Sequence, residues 1–456
     1  MAIYHIQSFE QNVKVSQADK LEYGEIYTPF SLIHQMFDLF SPIVFQDPGK
    51  IWLDVGAGQG YFSIILFARL NIGLQPLLPD EAERKRHIVE KMLYMVEVKD
   101  SNVAALKAMF GEKANIIHQD FCTYADTKLY DYIIGNPPYN AHGLKKVPTN
   151  KKQDKKQDGT TLWAKCVSKS LTLLRPETGQ LSMIVPSLWL KPDKSQTHQL
   201  LTQYKLEKIH CLTSNETNAI FKGEAQTPTC YFLLTKTMAM KTIQLYDVKR
   251  QLYVDFPHQM GQSIPLFGAF VIQKLQPWLT LAGPLKVCKT NMPSQKSKFT
   301  ELNYSTAYPY TNITTCVLEG LQPVLLMNYS DCPQAFHGQK KLVLAHKMYG
   351  FPYWDREGHY GISNRDNYVI LNKTDQEFAQ LAAFLSTKFA LYLFEATRYR
   401  MRYLEKYAFE FIPDITRLVG FPQEISDESV ADFFGLDATD KAHIRGLHKK
   451  NYGRFL

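Results

Sequence analysis

In the stretch DYIIGNPPYNAHG, Asp131 to Gly143, an apolar strand runs into Asn136 and is halted by two prolines. Proline fixes φ and lacks an N–H, so Pro137-Pro138 can continue neither a sheet ladder nor a helix. The residue before a proline is driven to extended conformations. Asn136 is therefore expected at a strand end, its amide pointing forward, with a stiff chain behind it and the aromatic ring of Tyr139 close by. Such an elbow is useful only if the tip of its strand faces a ligand.

The surrounding pattern predicts a sheet of that kind. From about residue 30 to 240, short apolar runs alternate with amphipathic stretches. KIWLDVGAG reads as a buried strand entering a glycine turn, MLYMVEV as a second strand, ANIIHQDF as a third and YDYIIGNPPY as a fourth. GYFSIILFARL, SNVAALKAMFG and TLWAKCVSKSLTLL have helical spacing, and GQLSMIVP and PTCYFLLTK are strand-like. Strands alternating with helices predict an open, mostly parallel α/β sheet. Beyond a boundary near Lys241 the strand-like pieces shorten and turns become dense, as in PYWDREGHYGISNRDNYVILN. Helical patterns follow in DQEFAQLAAFLSTKFALYLFEATRYRMRYLEK and VADFFGLDATDKAHIRGLHKK.

Three strand ends carry chemistry. LDVGAGQGYF puts Asp54 at a strand end, followed by Gly56, Gly58 and Gly60 before a helix. Glycines permit a tight turn and close approach of a ligand to the backbone, and they serve equally in a purely structural turn. The spacing departs from the dinucleotide fingerprint. Glu97, ending the second strand, is placed to take two ribose hydroxyls. Asp120 and Phe121, ending the third, offer a carboxylate to an adenine amino group and a ring to lie against the base. Singly, each is more often a surface or core residue. Together they lie on the carboxyl edge of one sheet, where open α/β sheets bind ligands. A site for adenosine without a pyrophosphate loop fits S-adenosyl-L-methionine.

In order, GEIYTP, DVGAGQG, VEV, QDF and NPPY resemble the gamma-class N6-adenine DNA methyltransferases of restriction–modification systems. The resemblance implies a Rossmann-like methyltransferase fold with a mostly parallel seven-stranded sheet over residues 1–240. It also implies a mixed α+β target recognition domain over residues 241–456. By the same resemblance Tyr27, Thr28 and Pro29 lie near the methionine end of the cofactor. Asp54 takes its amino group, Glu97 the ribose, and Asp120 with Phe121 the adenine. Lys99 departs from the pattern, since the family more often has an acid there. NPPY alone is shared with the glutamine methyltransferases that act on release factors.

The elbow suits attack by an exocyclic amine. An adenine amino nitrogen is a poor nucleophile, its lone pair being delocalised into the ring. Two acceptors on its two hydrogens favour the tetrahedral geometry that attack requires. The Asn136 side-chain oxygen and the Pro137 carbonyl are the candidates, and the prolines hold them still, which is electrostatic preorganisation. No general base is needed, and His142 reads as a loop histidine. Tyr139 offers a stacking face worth about 1–3 kcal/mol to a base, and a duplex base must be flipped out to reach it. Phe221, matching the family's base-stacking phenylalanine, is a second such face or plain core.

The net charge of +8 permits a polyanionic partner without demanding one. The lysine-rich LKKVPTNKKQDKKQDGTT reads as a solvated loop or one that folds over a phosphate backbone. Arg398, Arg400 and Arg402 form either a phosphate-contacting set or a solvated flank, and HKMYGFPYWDREGHYGISNRD reads as base-reading loops or ordinary hairpin chemistry. Seven scattered cysteines without a CxxC pair predict no metal site. No apolar run suits a membrane span or a signal peptide, so a cytoplasmic location is expected. With only about twenty residues before the first motif, no metal-dependent nuclease is expected at the N-terminus and no cleavage activity is predicted. The reading is therefore a methyltransferase acting on double-stranded DNA, with a restriction enzyme encoded separately as a further partner. Cytosine-N4, RNA-adenine and protein-glutamine methylation are the alternatives.

Overall fold

The structure is a computed structural model that describes residues 27–140, 161–192, 195–223, 225, 227–300, 303–319, 322–346, 352–400 and 404–447. Gly24 to Ile26 of the first motif, His142, most of the lysine-rich stretch, Arg402 and residues 347–351 lie outside them. The chain forms two compact units. One comprises Met1–Tyr246 with Leu252–Gln262, the other Asp247–Gln251 with Ser263–Leu456.

The first unit is built on strands β1 (Trp52–Val55), β2 (Leu93–Glu97), β3 (Asn115–His118), β4 (Tyr132–Gly135), β5 (Gln180–Pro186), β6 (Tyr204–Leu212), β7 (Thr229–Met238), β8 (Thr242–Asp247) and β9 (Leu252–Pro257). They make one sheet in the order β3-β2-β1-β4-β5-β7-β6-β8-β9. β1 pairs in parallel with β2 and β4, as do β2 with β3, β4 with β5, and β6 with β8, while β7 runs antiparallel between β5 and β6. The sheet is mostly parallel as expected, but it has nine strands rather than seven. The additional pair, β8 and β9, extends the β6 edge beyond Lys241, with Lys208 opposite Gln244.

Helices α1 (Phe30–Phe37), α2 (Tyr61–Gly73), α3 (Glu81–His87), α4 (Asp100–Phe110), α5 (Trp163–Leu173), α6 (Thr197–Thr202) and α7 (Ser214–Ile220) complete this unit. All four residues of β1 and of β4 are buried, which is why β4 reads as an unbroken apolar run, and β1 as one interrupted only by Asp54, rather than as alternating ones. Trp52 of β1 stacks on Tyr132 of β4 with ring centroids 4.1 Å apart, and Phe45 covers its other side at 5.5 Å. Truncating a ring buried so completely costs about 3–5 kcal/mol. This aromatic packing anchors the two central strands from which the sheet order turns outward in both directions, the switch point at which such folds bind ligands.

The second unit contains two four-stranded sheets. Strands β10 (Cys288–Lys289), β11 (Phe299–Thr300), β12 (Tyr310–Glu319), β13 (Gln322–Ser330), β14 (Lys341–Ala345), β15 (Tyr353–Asp355), β16 (Gly361–Ile362) and β17 (Asn367–Ile370) fall into the orders β10-β17-β14-β15 and β11-β13-β12-β16. Its helices are α8 (Ala269–Ala282), α9 (Asp375–Leu385), α10 (Lys388–Ala396), α11 (Asp427–Phe433) and α12 (Ala438–Arg445). Both of the long C-terminal helical patterns are thus broken. The first break is made by Thr387, whose side chain caps α10 by accepting from the Ala390 N–H. Among the described residues no helix is long and apolar enough to cross a membrane.

Candidate active site

The carboxyl ends of β1, β2, β3 and β4 surround a pocket of about 1120 Å³ of empty space, its mouth included. Of the residues singled out in the sequence, Tyr27, Thr28, Gly56, Gly58, Glu97, Asp120, Phe121, Asn136, Pro137, Pro138 and Tyr139 line it. Pro29, Asp54, Gly60 and Phe221 do not. Pro29 instead begins α1, its carbonyl accepting from the Leu32 and Ile33 amides. Gly60 begins α2 with φ +87°, and a Cβ there would lie 2.8 Å from the Leu106 side chain, so this glycine serves the packing of α2 on α4. Phe221 is 3% exposed within the apolar core of the first unit.

Glu97 organises the glycine turn. Its Oε2 accepts from the Gly58 N–H at 2.7 Å and its Oε1 from the Lys99 N–H at 2.9 Å. A carboxylate has about four lone-pair positions, so both oxygens can still receive further donors. Behind the turn, Asp54 is fully buried. Its Oδ2 accepts from Ser63 Oγ at 2.7 Å, while its Oδ1 has no hydrogen-bond partner. Burial pushes its carboxyl up to about 7, Glu97 adds to the rise, and the Ser63 hydrogen bonds oppose it. At the end of β3, Asp120 is exposed and closes a turn by accepting from the Cys122 N–H at 2.9 Å. Phe121 is buried beside it with its ring on the pocket wall.

The elbow is fixed at three points. Gly135, the last residue of β4, passes so close to β1 that a Cβ would stand 2.6 Å from the Val55 carbonyl oxygen, and its φ is +152°. Asn136 Nδ2 donates to Thr28 Oγ1 at 3.0 Å. The Tyr139 carbonyl accepts from the Leu162 N–H at 3.1 Å, and Asn140 and Thr161 form an antiparallel bridge beside it. Asn136 Oδ1 is left buried without a hydrogen-bond partner, as is the Tyr139 hydroxyl. An unsatisfied buried acceptor costs about 1–3 kcal/mol, so the wall is prepared for a donor that the protein does not itself supply. Burial raises the Tyr139 phenol well above its usual value.

Sequence reasoning did not single out Asn102, Gln119, Cys122 and Cys166, all on the pocket wall. Asn102 follows Glu97 on the first turn of α4, a position that the strand-end logic could have reached. The cysteines carried no spacing signal.

In the second unit the arginine series separates. Arg398 is taken up by Glu395, Nη1 to Oε2 2.9 Å. Arg400, whose Nε lies 3.8 Å from Glu405 Oε1, is exposed and joins two other exposed cations, Lys289 of β10 and Arg365, around His346. The His346 ring lies 5.7 Å from that of Tyr368, and Lys289 Nζ lies 5.9 Å from the same Tyr368 ring. Burial lowers His346 to about 4, and the three cations push the same way against Asp366. The WDREGHY segment, read as base-reading loops or hairpin chemistry, is a turn organised by buried Asp355. Its carboxylate accepts from Lys341 Nζ at 2.6 Å and from the His359 and Tyr360 amides.

Comparison with known proteins bears on the first unit. Residues 62–218 match the family model described as Eco57I restriction-modification methylase. A Mycoplasma pneumoniae protein named as an uncharacterized adenine-specific methylase is 27% identical over 143 residues, 29% of this chain and 34% of that protein. A tRNA1(Val) (adenine(37)-N6)-methyltransferase of Phocaeicola vulgatus is 27% identical over 158 residues, 35% of this chain and 59% of that protein. The matched stretch thus spans less than two thirds of either relative. Among solved structures, the methyltransferase subunit of a type I restriction-modification system from Streptococcus thermophilus superposes with a TM-score of 0.36 at 16% identity, covering 56% of this chain and 53% of that one. Over residues 62–218 this chain is thus similar to the Eco57I restriction-modification methylase family, a likeness that implies S-adenosyl-L-methionine as cofactor.

Proposed function

We propose that the chain transfers a methyl group from S-adenosyl-L-methionine to the exocyclic N6 amine of a flipped-out adenine in double-stranded DNA. The observation that carries this reading is the buried, unpartnered Asn136 Oδ1, aimed by the Thr28 hydrogen bond on the opposite end of its amide. The donor set around the pocket fits the cofactor. Glu97 is placed for the ribose hydroxyls, Asp120 and Phe121 for the adenine, and Tyr27 and Thr28 for the methionine end. Behind the turn, the unpartnered Asp54 Oδ1 is the acceptor for an ammonium group, whose positive charge favours the ionised carboxylate. The cofactor, when bound, supplies an electrophilic methyl group.

The protein's part is to hold the amine. Asn136 Oδ1 accepts one of its hydrogens and the Pro137 carbonyl the other. Fixed acceptors of this kind pull the nitrogen toward tetrahedral geometry without having to reorganise. Tyr139 presents a half-exposed ring as the stacking face for the base. The second unit takes the role of target recognition, with Lys289, Arg365 and Arg400 as its phosphate contacts.

A second reading, an RNA adenine methyltransferase, is favoured by the names of the tRNA-modifying relatives. One experiment separates the two. The protein is incubated with tritiated cofactor and either unmethylated duplex DNA or RNA, and the digested nucleosides are identified. Labelled N6-methyladenine from DNA is expected. Label confined to RNA selects the second reading, label on cytosine selects N4 chemistry, and no label in either overturns both.

A further inference from the structure

Two thiols meet in the wall of the pocket. Cys122 follows Phe121 in the turn after β3, and Cys166 lies on the first turn of α5. Their sulfurs are 3.7 Å apart, and both residues line the pocket. Cys122 is half-exposed there, whereas Cys166 is 2% exposed. No step of the proposed reaction uses either sulfur.

We propose that Cys122 and Cys166 are a modification site, an oxidisable thiol pair that a peroxide closes to a disulfide and a dithiol reopens, and that the closed form takes up the cofactor less tightly. The effect on the cofactor rests on the function proposed above; the pairing of the thiols does not.

The division of labour follows from placement. Cys122 is open to the pocket and so to a small peroxide. The Cys166 thiol beside it holds the Cys122 thiol below its usual value, with Lys165 helping and Asp120 opposing. Cys166 is pushed up by that same contact and by its burial. The thiolate is the nucleophile in such chemistry, so Cys122 reacts first. Its sulfur attacks one peroxide oxygen and the O–O bond breaks. The departing hydroxide takes up a proton as water, leaving Cys122 as a sulfenic acid. The Cys166 sulfur then attacks the Cys122 sulfur, and the S–O bond breaks. Hydroxide leaves with the Cys166 proton as a second water, so both sulfurs are oxidised and the peroxide is reduced. Reopening transfers the disulfide to the added dithiol by exchange.

Closure acts on the pocket through the turn. A bonded pair of sulfurs sits about 2 Å apart, so the Cys122 sulfur must move toward α5. Asp120 and Phe121, assigned to the adenine, precede it directly, and the Asp120 carboxylate is bonded to the Cys122 amide.

The test uses the full chain, treated with hydrogen peroxide and then with a dithiol. A peptide linking Cys122 to Cys166 is expected by mass spectrometry. Cofactor affinity, measured by calorimetry, is expected to fall about tenfold or more on oxidation and to recover on reduction. Exposed Cys288 serves as the reference for oxidation without pairing. In Cys166→Ser, peroxide should give no linked peptide, and the variant's own ratio of oxidised to reduced affinity should be nearer to one. Absence of the linked peptide in the native chain overturns the pair. A linked peptide with unchanged affinity overturns its effect on the cofactor. If the reduced chain binds no cofactor, the proposed function falls, and the linked peptide still decides the pair.

Discussion

Asn136 Nδ2 donates to Thr28 Oγ1 across 108 residues of sequence, and this single bond decides which end of the Asn136 amide faces the pocket. Without it the amide could rotate and present its NH₂ group, a donor where the proposed reaction calls for an acceptor. Thr28 is 4% exposed, so its hydroxyl is itself held. The two motifs that flank the glycine turn in sequence are therefore joined in space.

Removing the acceptor should abolish transfer without emptying the cofactor site. For Asn136→Ala we expect kcat to fall by about 10²–10³-fold, the usual loss for a preorganised hydrogen-bonding group, with cofactor affinity nearly unchanged. Thr28→Val should give a smaller loss in the same direction. Single-turnover methyl transfer together with calorimetry of cofactor binding checks both. A Thr28→Val enzyme that turns over like the parent would separate the orientation of the amide from catalysis.

Asp54 should make stability fall as pH rises through the neutral range. Its carboxyl is raised from 3.8 to about 7 by burial. The folded state therefore retains a proton that the unfolded chain releases near pH 4, and folding is progressively penalised between those values. Its favourable contribution is complete below pH 4 and lost as pH passes 7. In Asp54→Asn this slope should be absent, so the variant gains on the parent between pH 5 and pH 8 by about 1–4 kcal/mol. Urea unfolding across that range measures it, and parallel curves for the two proteins would refute the assignment.

Phe221 offers a choice between packing and stacking. As a ring 3% exposed in the core, Phe221→Ala should cost about 3–5 kcal/mol of stability, whereas Phe221→Leu should cost about 1 kcal/mol. If the ring also stacks on the flipped base, Phe221→Leu should still lose about 1–3 kcal/mol of target-base affinity. Binding to DNA with an abasic site opposite the target strand, set beside the thermal melt, separates the two effects.

The cations around His346 should govern the salt dependence of DNA binding. Each phosphate contact contributes about 0.9 to the slope of log K against log salt. Lys289→Ala, Arg365→Ala and Arg400→Ala should each lower that slope by about one, and Arg398→Ala, whose guanidinium is engaged by Glu395, should not. Titration at several salt concentrations tests the difference. Equal slopes for all four variants would remove this face from the DNA contact.

Periodicity reveals elements, and it served well for β1, β2, β4 and β5, which are short and mainly apolar. It failed for β6, where YKLEKIHCL mixes lysine and glutamate into a strand. β7 pairs along its length, and Lys208 escapes burial by reaching the Leu39 carbonyl. The long C-terminal helical pattern likewise hid a break, although Ser386-Thr387 carried a capping signal. At the site, the strand-end acids were legible because open sheets bind ligands at one edge. The Thr28–Asn136 bond and the Cys122–Cys166 contact were not, since each depends on tertiary placement that no local pattern encodes. Asp54 was legible as a strand-end acid, but its withdrawal behind the turn was not.

The pairing of Asn140 with Thr161, beside the Tyr139–Leu162 hydrogen bond, brings the chain back to where it departed. Leu162 is followed at once by α5, which begins at Trp163. Any displacement of that helix therefore reaches the elbow through main-chain bonds, and the two travel as one body.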